Sequence, residues 1–226
     1  MDAYAYAILA GALLMVWMIL FGVRADLRAS MLRESCVGGI AGLLAELWYF
    51  RDYWHPPTLM GQTRLSPEDF VVGFAITGIG RALYDVLLRY KDGPEGTARN
   101  TMLAALFLAG VAGLVMGNTI LGWNSCITSE GIFAALTAVM VYLRPDLGRA
   151  ALGFALLLGA LGFGLYLIIF GLLAPDFWRE YWLLKDTPFG ITLLGIPLTE
   201  ILWFVTWGSM AGVAHNFRTG KKRIKL

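Results

Sequence analysis

Five carboxyls lie inside or at the mouths of long apolar stretches of this chain: Glu46, Glu68, Asp69, Glu130 and Glu200. A carboxylate is costly to ionise away from water, so acids in such places face a protein interior or a wet cavity and often mark function. One that low-dielectric surroundings keep protonated can hand its proton to an electron-rich double bond. The carbocation left behind has no counter-ion in an apolar medium, and the faces of Trp, Tyr and Phe stabilise it by cation-π attraction. A second carboxylate then takes a proton away. With 8 Trp, 9 Tyr and 13 Phe the chain is well supplied with such rings. The chemistry is redox-neutral and requires neither nucleotide nor metal, so no cofactor is expected.

Spacing narrows the candidates. Pro197-Leu198-Thr199-Glu200 opens an apolar helix on which Trp203 and Trp207 follow by three and seven residues, about 300° and 700° of rotation, so acid and indoles share one stripe. Glu200 is the preferred proton donor. Glu46 lies about one helical turn short of the end of its apolar stretch and is a candidate in its own right. Glu68 and Asp69 follow Pro67 in a first helical turn, where the positive end of the helix dipole already gives acids a structural reason to be. The same holds for Glu130, with Asn124, Ser125 and Thr128 as caps before or beside it. Asp85 comes 16 residues after Asp69, about 24 Å along a straight helix, and so belongs to the opposite end. Arg81, four residues earlier, is expected to pair with it while snorkelling to the surface.

The elements that must position these acids occur twice. Asp52-Tyr53-Trp54 matches Glu180-Tyr181-Trp182, and Ser66-Pro67-Glu68-Asp69-Phe70 matches Pro197-Leu198-Thr199-Glu200-Ile201, so that Asp69 corresponds to Glu200. The register runs on to Tyr84-Asp85-Val86 against His215-Asn216-Phe217. Two parallel related units are expected, and their aromatic loops make Trp54, Tyr53, Trp182 and Tyr181 candidate substrate-binding residues beside Trp203 and Trp207.

With 58% hydrophobic residues the chain reads as one integral membrane domain over 1–226, an all-α seven-transmembrane helix bundle. Stretches long enough for a ~30 Å hydrocarbon slab run at about 3–23, 31–50, 67–90, 101–121, 125–143, 150–174 and 192–217. Repeat A covers about 31–90, a linker and the fourth span 91–124, repeat B 125–217 and a basic tail 218–226, the matched pairs being spans 2–3 and 6–7. Basic residues set the expected sidedness: Arg24, Arg28, Arg33, Arg89, Lys91, Arg99, Arg144, Arg149 and the tail fall on one side, against Arg51, Arg64, Arg179 and Lys185 on the other. This predicts a multi-pass cell-membrane protein with the N-terminus outside and the C-terminus cytoplasmic. Glycines at 38, 39 and 42 invite close helix contact. The 91–96 loop reads as a solvated turn, the first span offers no chemistry, and Cys36 and Cys126 read as small core residues too far apart for a disulfide.

Several classes drop out. No span carries a lysine, which argues against a retinal Schiff base, and no strand with a glycine-rich phosphate loop is evident. No Cys/His cluster suggests a metal, and aspartate-rich diphosphate boxes are missing. No nucleic-acid partner is expected. The expected partners are the bilayer and a lipophilic polyene or prenyl lipid.

The paired segments Ser66-Pro67-Glu68-Asp69 and Pro197-Leu198-Thr199-Glu200, each opening a span, with Asp52-Tyr53-Trp54 and Glu180-Tyr181-Trp182 upstream, resemble the lycopene cyclase domain of heterodimeric and fused carotenoid cyclases. That family is built from two related three-helix units with a Pro-x-Glu-Glu motif. Here Ser66 replaces the motif's proline, Asp69 its second glutamate and Thr199 its first glutamate. The resemblance implies a membrane isoprenoid cyclase in which Glu68, Asp69 and Glu200 carry the acid and base roles. A non-catalytic carotenoid- or lipid-binding membrane protein and, further off, a small transporter are the competing readings.

Overall fold

A computed structural model describes all residues 1–226. Seven long helices follow one another: α1 (Asp2–Val23), α2 (Arg28–Asp52), α3 (Pro67–Leu87), α4 (Asn100–Val115), α5 (Ser125–Leu143), α6 (Gly148–Tyr166) and, after the short α7 (Phe177–Tyr181), α8 (Leu198–Thr219). π-helical turns extend α4 through Ile120 and α6 through Leu173. Five of the helices, Asp2–Val23, Pro67–Leu87, Asn100–Ile120, Ser125–Leu143 and Pro145–Leu173, are long and apolar enough to cross a membrane; α2 and α8 are more polar. Apolar side chains such as Ile19, Val37, Leu108, Ile120, Leu152 and Leu172 point outward. A water-soluble fold seldom exposes so many large apolar side chains.

Short strands appear where none was expected. β2 (Thr192–Leu193) pairs with β3 (Ile196–Pro197) across Leu194 and Gly195, whose φ of 52° and 82° suit a two-residue hairpin turn. The last helix therefore starts at Leu198, six residues later than the apolar run suggested. β1 (Tyr90–Asp92) pairs antiparallel with β4 (Arg223–Lys225), so the 91–96 loop clasps the C-terminal tail instead of standing free in solvent.

Glycine sets the distance between the helices that carry the acids. A Cβ at Gly42 of α2 would meet the Asp69 carbonyl oxygen of α3 at 2.6 Å, and one at Gly208 of α8 would meet the Phe154 carbonyl of α6 at 2.9 Å. Both pairs thus pack backbone against backbone. Cys126 is buried as expected, but Cys36 is exposed on the outside of α2, and both are free thiols.

Two corners are built alike. Arg24 follows α1, grips Asp26 and donates to the carbonyls of Asp85 (3.0 Å) and Tyr90 (2.7 Å). Arg144 follows α5, grips Asp146 and donates to the carbonyls of Asn216 (3.2 Å) and Lys221 (3.3 Å). Each arginine ties the end of one helix to the end of another two helices on, and the sequence register had already paired Asp85 with Asn216. At the other end of the bundle the loops meet reciprocally: the His55 amide donates to Tyr181 and the Leu183 amide to Tyr53, both at 2.9 Å, with Trp54 and Trp182 between them.

Arg81 does not snorkel. Its side chain is fully buried and bonds both Asp85 (2.9 Å) and Asp92, while Arg223 reaches the other oxygen of Asp85 at 2.8 Å. The expected pair with Asp85 is present, but the strand pairing of β1 with β4 roofs it over and supplies the additional partners. Asp92 ends β1, beyond the last turn of α3. Burial pushes its carboxyl up, yet the hydrogen bond from His215 and the charge of Arg81 outweigh this and hold it well below the ordinary carboxylate range.

Leucine at position 42 should wedge α2 from α3 and cost about 1–3 kcal/mol, seen as a lower melting temperature in detergent. Alanine at Gly11, where an added Cβ meets nothing within 4 Å, should leave the melting temperature unchanged.

Candidate active site

The N-terminal ends of α3 and α8 deliver their acids toward the middle of the bundle, where six helices converge on one cavity of about 80 Å³. Glu46 of α2, Asp69 of α3 and Glu200 of α8 line it, together with Tyr6 of α1, Tyr49 of α2, Tyr53 beyond its end, and Tyr166 of α6. Trp54, Trp203, Phe204, Ile76 and Leu9 supply much of the apolar wall. All three acids are buried.

Each acid is held differently. Ser66 and Asp69 form a capping box at the start of α3, in which Asp69 accepts from the Ser66 amide and hydroxyl; its other oxygen turns inward to the Tyr6 hydroxyl at 2.7 Å. Helix capping and the chamber therefore share this residue. At the start of α8 no side chain caps the helix. Glu200 is free of that duty and spends both oxygens on phenols, accepting from Tyr53 on one and from Tyr166 at 2.8 Å on the other. Glu46 accepts from the Trp54 indole at 3.2 Å. Behind these, Tyr49 receives the Trp203 indole N–H at 2.9 Å and shares a hydrogen bond with Ser129 at 2.6 Å, binding α2, α8 and α5 together.

The remaining candidates fall outside this cavity. Glu68, the immediate neighbour of Asp69, points the other way and accepts from the Leu59 amide at 2.6 Å. Trp207 stacks on Trp203 with centroids 5.5 Å apart and also meets Phe133, one turn below the chamber, so the stripe on α8 is real but its lower member lies too deep. Trp182 is buried behind Trp54, and Tyr181 is half-buried against Phe177. Asp52 and Glu180, alike in sequence, differ in use: Asp52 accepts from the Ser125 amide and hydroxyl at the start of α5, whereas Glu180 is exposed. Glu130 accepts a hydrogen bond from the Cys126 thiol at 3.4 Å within its own helix and does not line the cavity.

Tyr6, Tyr49 and Tyr166 carry hydroxyls to the chamber that the apolar stretches concealed. The first span, read as chemically silent, supplies Tyr6. Its one available signal was depth, since Tyr6 lies as close to its helix end as the acids do to theirs.

What the arrangement can do is bounded by its contents. Three carboxyls and four phenols can store, donate and accept protons, and the remaining wall is hydrocarbon and aromatic ring. A protein-family model described as lycopene cyclase matches residues 123–217. Over this stretch the chain is similar to the lycopene cyclase family. No curated protein and no solved structure matches the chain. The lycopene cyclase match spans α5 to α8 and includes Tyr166, Glu200 and Trp203; Tyr6, Glu46 and Asp69 come from the half of the chain before it.

A lipid-soluble carbodiimide should tag Glu46, Asp69 or Glu200 ahead of Glu68 when adducts are mapped by peptide mass spectrometry. A water-soluble one should instead mark Glu95 and Glu180, which are exposed. Equal labelling of both groups by both reagents would contradict an enclosed apolar chamber.

Proposed function

We propose that this protein is a membrane-embedded carotenoid-type cyclase that closes a ring at the end of a polyene by proton transfer. The observation that carries the reading is the meeting of Glu46, Asp69 and Glu200 with four phenols in one apolar cavity, supported by the family match over the helix that bears Glu200. Seven membrane crossings are proposed with it, the N-terminus outside and the basic tail in the cytoplasm, following the lopsided distribution of arginine and lysine.

Glu200 gives its proton to the terminal double bond of the polyene. Tyr53 and Tyr166 already donate to its two oxygens, so the carboxylate left behind is met by preorganised dipoles and not by rearranging water. The cation is attacked by an internal double bond, forming the ring carbon–carbon bond and moving the positive charge into the ring. The indoles of Trp54 and Trp203 lie at the chamber wall to stabilise it. Loss of a ring proton to Glu46, with Asp69 beside it on the adjoining helix, restores a double bond. One proton enters and one leaves, so the product is an isomer of the substrate. Return of that proton to Glu200 resets the site.

At about 80 Å³ the chamber is far smaller than a polyene. Only the reacting end group enters, displacing side chains as it does so, and the rest of the chain leaves past the lining residues that are partly exposed, among them Ala45 and Trp203. The two acids at matched helix starts and the two matched corners support descent from a duplicated three-helix unit, α1–α3 and α5, α6 and α8.

Expression in a lycopene-accumulating host, followed by chromatography of the pigments, tests the assignment. The parental chain should yield cyclised ends; Glu200→Gln and Glu46→Gln should reduce conversion by about 10²-fold or more. Glu68→Gln should retain it, because that carboxyl turns away from the cavity. Unchanged pigment that co-purifies with the parental protein would overturn catalysis in favour of binding.

A further inference from the structure

At the end of the bundle opposite the acid chamber, a second pocket of about 200 Å³ opens between the end of α3, the start of α6 and the C-terminal strand. Arg149, Lys222 and Arg223 line it with Asp146, and the tyrosines Tyr84 and Tyr90 form part of its wall, their rings stacked with centroids 5.4 Å apart. The charges do not cancel. Asp146 is already gripped by Arg144, which leaves Arg149 and Lys222 without an acid of their own among the lining residues.

Arg223 is the decisive member. Its side chain is only 7% exposed. Nε donates to Asp85, Nη2 donates to the Gly212 carbonyl at 2.7 Å, and the guanidinium rests over the Phe154 ring at 5.0 Å. Its remaining nitrogen, Nη1, is buried with no hydrogen-bond partner. An unpaired donor on a buried cation is expensive, and an oxyanion is the group that would satisfy it. Nothing in the proposed cyclisation uses this pocket, since neither substrate nor product bears an anion.

We propose that this pocket binds the phosphate of an anionic membrane lipid, seated by Arg223 from below and by Arg149 and Lys222 at the rim. A phosphate diester fits the volume and the charge. On the membrane placement proposed above, the pocket lies at the basic face of the protein, where clefts between helices hold acidic headgroups. Such a ligand would fasten β4 and the tail to α6, bracing the clasp that roofs the buried Arg81–Asp85 pair.

The test is thermal unfolding of the full-length protein in a neutral detergent, followed by tryptophan fluorescence and titrated with phosphatidylglycerol, phosphatidylcholine or inorganic phosphate. Phosphatidylglycerol should raise the melting temperature and phosphatidylcholine should not. The double variant Arg149→Gln/Lys222→Gln changes only exposed side chains; without lipid it should melt as the parental chain does, and it should need about tenfold or more phosphatidylglycerol for the same shift. Inorganic phosphate that reproduces the shift in the parental chain but not in the variant would keep the phosphate site and assign it to a soluble anion. Equal shifts with both lipids, or a variant that responds like the parental chain, would overturn the proposal, whatever the outcome for pigment cyclisation.

Discussion

A carboxyl carried into an apolar bundle must find hydrogen-bond donors there, and the structure of this protein turns on how Glu200 finds its own. Tyr53 reaches it from beyond the end of α2 and Tyr166 from α6, so a single side chain joins helices from both halves of the chain. The cost of placing an acid away from water is met by phenols, which keep the surroundings dry while supplying donors. Packing follows from this. For the phenols to reach, α6 must lie against α8 and α2 against α3, and glycines at the crossings allow it.

The proposed acid–base chemistry makes a geometric demand: a donor and an acceptor must approach one substrate from different sides. Two helices, α3 and α8, that each open with an acid would bring this about, and the loops before them interlock. The reciprocal amide bonds around Trp54 and Trp182 draw the two acid-bearing ends together, and the Arg24 and Arg144 corners brace the far ends. The two acids are not used equally. Asp69 divides itself between a helix cap and the chamber, whereas Glu200 serves the chamber alone, which gives the two acids different freedom to part with a proton.

Much of this was legible beforehand, for physical reasons that can be named. Helices made of apolar runs broken by Pro, Gly and charge declare their limits, and the paired motifs flagged Asp69 and Glu200 through type and position together. Facing is harder to read than depth. Glu68 and Asp69 are neighbours with the same chemistry, and only the direction of the first helical turn sends one inward. Trp207 shares a stripe with Trp203 but lies a turn too low, because rotation about an axis says nothing of where a cavity ends. Tyr6 and Tyr166 escaped notice because a phenol within an apolar run signals nothing until its partner, 63 or 34 residues away, is in place. Arg81 looked like a surface arginine because the strand that covers it comes from the far terminus.

The central claim is that a proton from the protein starts the reaction and that no electrons are exchanged. Incubating the purified, reconstituted protein with an acyclic carotenoid in deuterated water, then weighing the product, tests this most directly. The account predicts a product isomeric with the substrate except for one deuterium for each ring formed. A ring closed without uptake of solvent deuterium, or a product whose mass shows gain or loss of a hydrogen pair, would contradict it.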